Sequence, residues 1–290
     1  MRIGTLRRAP ESLLVAFDGD RLLDLRAAAP ELPTTLREVL RQDGWQERLG
    51  RAAEAAPEVP WEPELLLPPI PDPGKVLCIG RNYAAHAKEL GHATVDERPE
   101  VFVRTRTSLA SPYQEIARPR VSEQLDYEVE LAFVIGRAGR HVAAADAMRH
   151  VAGYCVFNDV SVRDYQLTRE QWTAGKNFDG TAPFGPFLVT ADEVPDPHDL
   201  ELSTTVELAG GGEEELQRSR TSLLVHRIPE LIAYITDWTT LEPGDVIATG
   251  TPPGVGLGRQ PPRWLRPGET LISRVQGLGE LRNRVVEESP

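Results

Sequence analysis

The sequence predicts an α+β fold, with a small N-terminal α/β unit over residues 1–70 and a strand-rich unit over 71–290. Three observations predict it. Residues 125–135 alternate in the period-two pattern of a strand, and they run into the wholly apolar Ala-Phe-Val-Ile. Hairpin signals recur at Asp18-Gly19-Asp20, at Gly210-Gly211-Gly212, and around Gly277 and Gly279. No regular strand–helix alternation runs through the second unit, which argues against a parallel βαβ sheet.

Taken in order, residues 12–17 and 21–25 read as two strands of a hairpin. Residues 35–55, rich in Leu, Arg, Glu and Ala, read as helix. Pro60, Pro63, Pro68, Pro69, Pro71 and Pro73 then mark a connector between the units. Residues 75–80 read as a short buried strand. Asn82 suits the N-cap and Gly91 the C′ position of a helix over 83–90. Residues 151–157 form another strand ending at Asn158-Asp159, and 166–186 read as loop. Residues 199–219 pair as a hairpin, 229–238 form an amphipathic helix with Pro229 at its first position, and 246–249 form a strand. Residues 270–286 close the chain as a last hairpin.

With 290 residues, 40% hydrophobic and 26% charged, the chain can bury a sizeable core. A net charge of −12 opposes nucleic acid and anionic membrane surfaces as partners. Cys78 and Cys155 sit in apolar runs and read as buried, reduced thiols. No segment approaches the ~20 apolar residues that span a bilayer, so the cytoplasm is the default location.

The sharpest chemical clue is Leu-Asp-Tyr-Glu-Val-Glu-Leu. Side-chain alternation puts Asp126, Glu128 and Glu130 on one strand face, with neighbours ~7 Å apart. Buried and unpaired, such carboxylates would be very costly, and a hard cation that takes oxygen ligands from several of them relieves this. Asp159, at a strand end, is a further candidate ligand. No Cys-x-x-Cys or His-x-x-x-His pair occurs, so all-oxygen ligation points to Mg²⁺, Mn²⁺ or Ca²⁺. His86 and Glu89 lie three residues apart on one helix face, with Tyr83 one turn earlier, an arrangement that makes a general base. Taken singly, the acids also fit a solvated edge strand and the His–Glu pair an incidental surface contact. Gly-Thr-Pro-Pro-Gly-Val-Gly-Leu-Gly lacks the Gly-Lys-Ser/Thr ending of a phosphate loop, and no Gly-x-Ser-x-Gly elbow is present. Trp172 reads as a packed side chain. His92, His141, His150, His198 and His226 read as surface or structural histidines.

Six segments in this order resemble the fumarylacetoacetate hydrolase superfamily, particularly its bacterial members acting on acylpyruvates and related 2-oxo acids. They are GRNYAAHAKELG, VFVRTRTSL, LDYEVELAFVIG, GYCVFNDVSVRDYQ, GKNFDGTAPFGPFLV and GDVIATGTPPGVG, spread over residues 73–287. The resemblance implies a mixed β-roll catalytic unit and a homodimer. It implies Glu128, Glu130 and Asp159 as metal ligands, His86 and Glu89 as a catalytic dyad on a lid, and Lys176 near metal and substrate. It places Arg163, Gln166, Thr251 and Tyr83 among the substrate contacts. Arg104 stands where many relatives carry lysine, which bears on the contacts to the far end of the substrate. The implied activity is hydrolysis of a C–C bond in an acylpyruvate-type 2-oxo acid. Decarboxylation of oxaloacetate, or isomerisation or dehydration of a related 2-oxo acid, are the alternatives on the same site.

Overall fold

The computed structural model describes residues 1–168 and 170–289; residue 169, inside the expected loop, lies outside the described residues. The chain opens with a strand, β1 (Arg2–Leu6), that the sequence pattern does not single out. The expected hairpin follows as β2 (Leu13–Asp18) and β3 (Arg21–Asp24). The helical stretch breaks into α1 (Leu25–Ala28), α2 (Leu36–Leu40) and α3 (Trp45–Ala55). Thr35 caps α2 by accepting the Glu38 N–H at 3.2 Å. Gly44 separates α2 from α3 with φ +66°, a conformation open to glycine. The proline-dense connector is not free: β4 (Leu66–Leu67) inside it pairs with β1.

The strand β5 (Val76–Gly80) then leads to α4 (Ala84–Glu89). Asn82 does not cap this helix. Its side chain instead donates to the Thr249 and His226 carbonyls, at 2.8 and 2.9 Å, and accepts the His226 N–H at 2.7 Å. Gly91 does end the helix, at φ +85°. Next come β6 (Glu100–Val103), β7 (Leu109–Ala110) and β8 (Ile116–Arg118). The single strand expected over 125–135 is two, β9 (Leu125–Asp126) and β10 (Val129–Ile135). After β11 (Val151–Asn158) and β12 (Ser161–Val162) come two short helices, α5 (Arg163–Gln166) and α6 (Thr173–Lys176). The expected loop stops early, because the apolar run from Ala182 joins the sheet as β13 (Ala182–Thr190). The remainder follows expectation: β14 (Glu201–Glu207), β15 (Glu213–Arg220), α7 (Ile228–Trp238), β16 (Val246–Ala248), β17 (Thr270–Val275) and β18 (Gly279–Glu287).

Eleven strands form one sheet in the order β3-β2-β1-β13-β11-β10-β16-β5-β6, with β4 and β7 beside it, and five form a second, β15-β14-β17-β18-β8. The N-terminal strands thus extend the large sheet through the β1–β13 pairing, Arg2 opposite Val189 and Ile3 opposite Leu188. Alternating side chains divide the core. Cys78, Ala132, Val134, Cys155 and Phe157 face the N-terminal helices with Leu36, Val39 and Leu49. Leu77, Leu131, Phe133 and Val156 face α7 and the second sheet. Both faces of β10 and β11 are therefore buried, and both cysteines are free and buried as expected. Among the described residues no helix is long and apolar enough to cross a membrane.

Close contact between β11 and β13 makes Gly153 a stringent position, since a Cβ there would sit 2.2 Å from the Val189 carbonyl oxygen. Gly153→Ala is expected to destabilise the fold by about 1–3 kcal/mol in urea unfolding, the usual range for overpacking. A wild-type unfolding midpoint would show that the two strands are not held this tightly.

Candidate active site

Strand pairing brings the acids together. Asp159 follows the end of β11 and donates its N–H to the Glu128 carbonyl at 2.8 Å, so the two residues lie opposite each other where β10 begins. Glu130 shares the face of Ala132 and Val134, and Asp159 that of Cys155 and Phe157. One ligand oxygen from each of Glu128, Glu130 and Asp159 lies within 4.8 Å of the others, and all three residues are buried. Asp126, expected on the same face, does not join them. The strand is interrupted at 127–128, and the Asp126 carboxylate accepts from Arg163 Nε at 2.7 Å and from the Gly256 and Leu257 N–H groups.

The three acids are unequally compensated. Burial raises the Glu128 pKa, but Lys176 and Arg163 outweigh burial and hold it down at about 2. Lys176 Nζ lies 2.8 Å from Glu128 and 2.5 Å from Asp159, and Arg163 Nη2 lies 2.6 Å from Glu128. Arg104 pairs with Asp159 from behind. Glu130 receives only the Gly250 N–H, at 2.7 Å. Burial first, then Asp159 and Glu128, push its carboxyl well above the usual range. Among the described residues no cationic side chain pairs with it. A tight, buried, all-oxygen triad with one uncompensated acid fits a hard dication such as Mg²⁺ or Mn²⁺.

His86 Nδ1 lies 3.1 Å from Glu89 Oε2, and the other Glu89 oxygen accepts the Gly254 N–H at 2.9 Å. The imidazole is 4% exposed, so its orientation is fixed by packing as well as by this bond. Gly258 is required here, because a Cβ would meet Glu89 Cδ at 2.4 Å.

A cavity of about 540 Å³ joins these parts, lined by His86, Glu89, Glu128, Asp159, Lys176 and Thr251. Arg163 and Gln166 also line it. They come from α5, which α6 touches so closely that a Cβ at Gly175 would lie 2.4 Å from the Gln166 backbone nitrogen. Thr251 spends its hydroxyl proton on the Val129 carbonyl, at 3.0 Å. Tyr83 is not in the lining. It is buried beside Glu130, its hydroxyl has no partner among the described residues, and burial raises its pKa. Arg104 also lies behind the triad rather than in the lining, bonded to Asp159, the Val160 carbonyl and Thr181. Its guanidinium is engaged with the Asp159 carboxylate, a member of the triad.

The sequence pattern missed several lining residues. Trp172, expected to be simply packed, lines the cavity wall against Phe102, with ring centroids 5.4 Å apart. Arg81 and His92 stand with it, 2.9 Å apart. No spacing rule marks these three, because separate loops bring them together.

The family pattern described as fumarylacetoacetate (FAA) hydrolase C-terminal matches residues 75–286. The human mitochondrial oxaloacetate tautomerase FAHD2B is 42% identical over 281 residues, which are 96% of this chain and 88% of that protein. The fumarylacetoacetate hydrolase of Exiguobacterium antarcticum superposes with a TM-score of 0.84 at 33% identity, covering 99% of this chain and 100% of that one. Maleylpyruvate hydrolase from Sphingobium sp. SYK-6, solved with manganese(II) and pyruvate, gives 0.82 at 28% identity, covering 100% of each chain.

Glu130, with Asp159 and Glu128 beside it and Lys176 and the Gly250 N–H as its counterweights, is the acid whose titration a bound cation would compete with. Its raised pKa favours the protonated carboxyl, whose proton a cation would displace on binding. Mn²⁺ binding is therefore expected to release a proton and to tighten as pH rises toward that pKa. Calorimetry in two buffers of different ionisation enthalpy measures this; a pH-independent affinity with no proton release would contradict it.

Proposed function

We propose that this chain, which belongs to the fumarylacetoacetate hydrolase family, is a divalent-metal-dependent enzyme that moves a proton within a small 2-oxo acid, with tautomerisation of an oxaloacetate-type diacid as its reaction. The observation that carries this is the buried His86–Glu89 pair opening on the same cavity as Glu128 and Asp159, with Glu130 packed against them just behind the lining. The sequence on its own favours hydrolysis. Similarity to an oxaloacetate tautomerase over 96% of the chain shifts the weight to proton transfer.

Glu128, Glu130 and Asp159 would hold the dication, which supplies Lewis acidity for negative charge on the 2-oxo group. His86, oriented by Glu89, takes the proton from the enol hydroxyl and delivers it to C3, giving the keto form. The reverse transfer uses the same groups. Glu89 fixes the ring through the 3.1 Å contact to Nδ1. Lys176 and Arg163 stand beside Glu128 and offset charge that develops between the transfers. Phe102, Trp172, Leu167 and Leu257 narrow the cavity against bulk water.

Hydrolysis of an acylpyruvate is the second reading, favoured by the likeness to maleylpyruvate hydrolase. There His86 would take a proton from water, the water oxygen would bond to the distal carbonyl carbon, and the C–C bond would break to release pyruvate as its enolate. As further parts of the proposal, the chain acts as a homodimer in the cytoplasm, and residues 1–70 serve as support for a catalytic unit over 71–290.

The two reactions differ in their products. Incubated with enol-oxaloacetate and Mn²⁺, the chain should speed appearance of the keto form without CO₂, and chelator should stop it. With acetylpyruvate or fumarylpyruvate, pyruvate plus a second acid would establish hydrolysis instead. His86→Ala is expected to lower kcat by about 10²–10⁴-fold, the usual contribution of a general base, with Mn²⁺ affinity unchanged. Full activity of His86→Ala on every one of these substrates would remove His86 from the chemistry.

A further inference from the structure

The turn from β9 into β10 carries Glu128, and three consecutive backbone N–H groups in it are held by side-chain oxygens instead of by a neighbouring strand. Tyr127 donates to Asp126 Oδ1 at 2.8 Å, Glu128 to Asn158 Oδ1 at 3.0 Å, and Val129 to Gln217 Oε1 at 3.1 Å. Asp126 and Asn158 belong to the strands β9 and β11 on either side of the turn. Gln217 comes from β15, in the other sheet, and is 2% exposed.

Its side chain is fully used. Oε1 also accepts the Thr204 hydroxyl at 3.0 Å, and Nε2 donates to Thr251 Oγ1 and to the Pro252 carbonyl, each at 2.9 Å. Thr251 in turn donates its hydroxyl to the Val129 carbonyl at 3.0 Å. A ring of hydrogen bonds closes, from the Val129 N–H through Gln217 and Thr251 back to the Val129 carbonyl. Val129 lies between Glu128 and Glu130. Thr251 follows Gly250, whose N–H holds Glu130. Gln217 itself is absent from the cavity lining.

We propose that Gln217 is a positioning residue, which clamps the strand segment carrying Glu128 and Glu130 to the loop carrying Thr251 and so sets the spacing of the carboxylate triad. This rests on the triad being the metal site. The physical basis is satisfaction: removing the amide leaves the Val129 N–H, the Pro252 carbonyl and two hydroxyls buried without that partner, and the turn relaxes to pair them.

Mn²⁺ titration of the whole chain, by calorimetry and by the electron spin resonance of bound Mn²⁺, reads the spacing without turnover. Gln217→Met keeps the volume and loses all four bonds. Measured well below its melting temperature, it is expected to bind Mn²⁺ about 10–100-fold more weakly, the range for loss of an outer partner of a metal ligand. Both KM and kcat for the 2-oxo acid should worsen, since Gly254, whose N–H holds Glu89, lies on the loop that Gln217 grips at Pro252 and packs beside Gln217. In a cycle with Thr251→Val, the double variant should be no weaker than the worse single one, because both changes open the same ring. Should Gln217→Met fail to fold, Thr204→Val removes only the bond that aims Oε1 and is expected to weaken Mn²⁺ binding by about 2- to 10-fold, the worth of one hydrogen bond. Wild-type Mn²⁺ affinity in folded Gln217→Met, or in Thr204→Val where the first does not fold, would overturn the clamp alone. A wild-type chain that binds no Mn²⁺ would overturn the metal reading and the clamp with it.

Discussion

Everything in the site depends on placing three carboxylates within 4.8 Å of one another inside a protein. Burial makes each charge expensive, and proximity makes the set more so. The fold answers with fixed cations on one side only. Lys176 and Arg163 hold Glu128 ionised, and Arg104 pairs with Asp159 where no solvent reaches. Glu130 is left with a single backbone N–H and keeps its proton more readily than any ordinary glutamate. Such imbalance would be a defect in a purely structural cluster. It suits a site that exchanges a proton for a dication.

Residues 250–258 are the second half of that answer. The Gly250 N–H goes to Glu130, the Gly254 N–H to Glu89, and the Gly256 and Leu257 N–H groups to Asp126. One loop thereby registers a candidate metal ligand, the group that orients the base, and the partner of Arg163. Its composition follows from the task. Gly250 and Gly254 have φ of +102° and +105°, which side chains resist, and Gly258 leaves room for the Glu89 carboxylate. Pro252 contributes no N–H and needs none, since its carbonyl receives Gln217. What looks in the sequence like a weak phosphate loop is a template for carboxylates.

Local chemistry was legible where the signal is local. The hairpins at Gly19, Gly210–Gly212 and Gly277–Gly279, the buried cysteines and the helix opening at Pro229 all follow from turn residues and periodicity. Alternation over 125–135 also placed Glu128 and Glu130 correctly on one face. It failed at Asp126, because period two presumes an unbroken strand and the strand is interrupted at 127–128. Asn82 misled for a related reason: a good capping residue was taken by two distant carbonyls, Thr249 and His226. Long-range pairings had no signal at all. Nothing near residues 2–6 announces Val189 as a partner, and nothing around Gln217 announces Val129, 88 positions away.

The acidity of the chain and an anionic substrate are reconciled at the same place. Asp126, Glu128, Glu130 and Asp159 face Arg104, Arg163 and Lys176, four carboxylates against three fixed cations. Without a bound ion the cluster carries no excess of positive charge to draw in a 2-oxo carboxylate, and the surrounding net charge of −12 opposes an anion. A dication would reverse the local sign, and within a cavity walled by Phe102, Trp172 and Leu257 the reversed field would act at low dielectric. Net charge thus bears on which macromolecules the surface avoids. Under the proposed function, substrate choice would be set a few ångströms deep, where the third carboxylate either carries a proton or shares an ion.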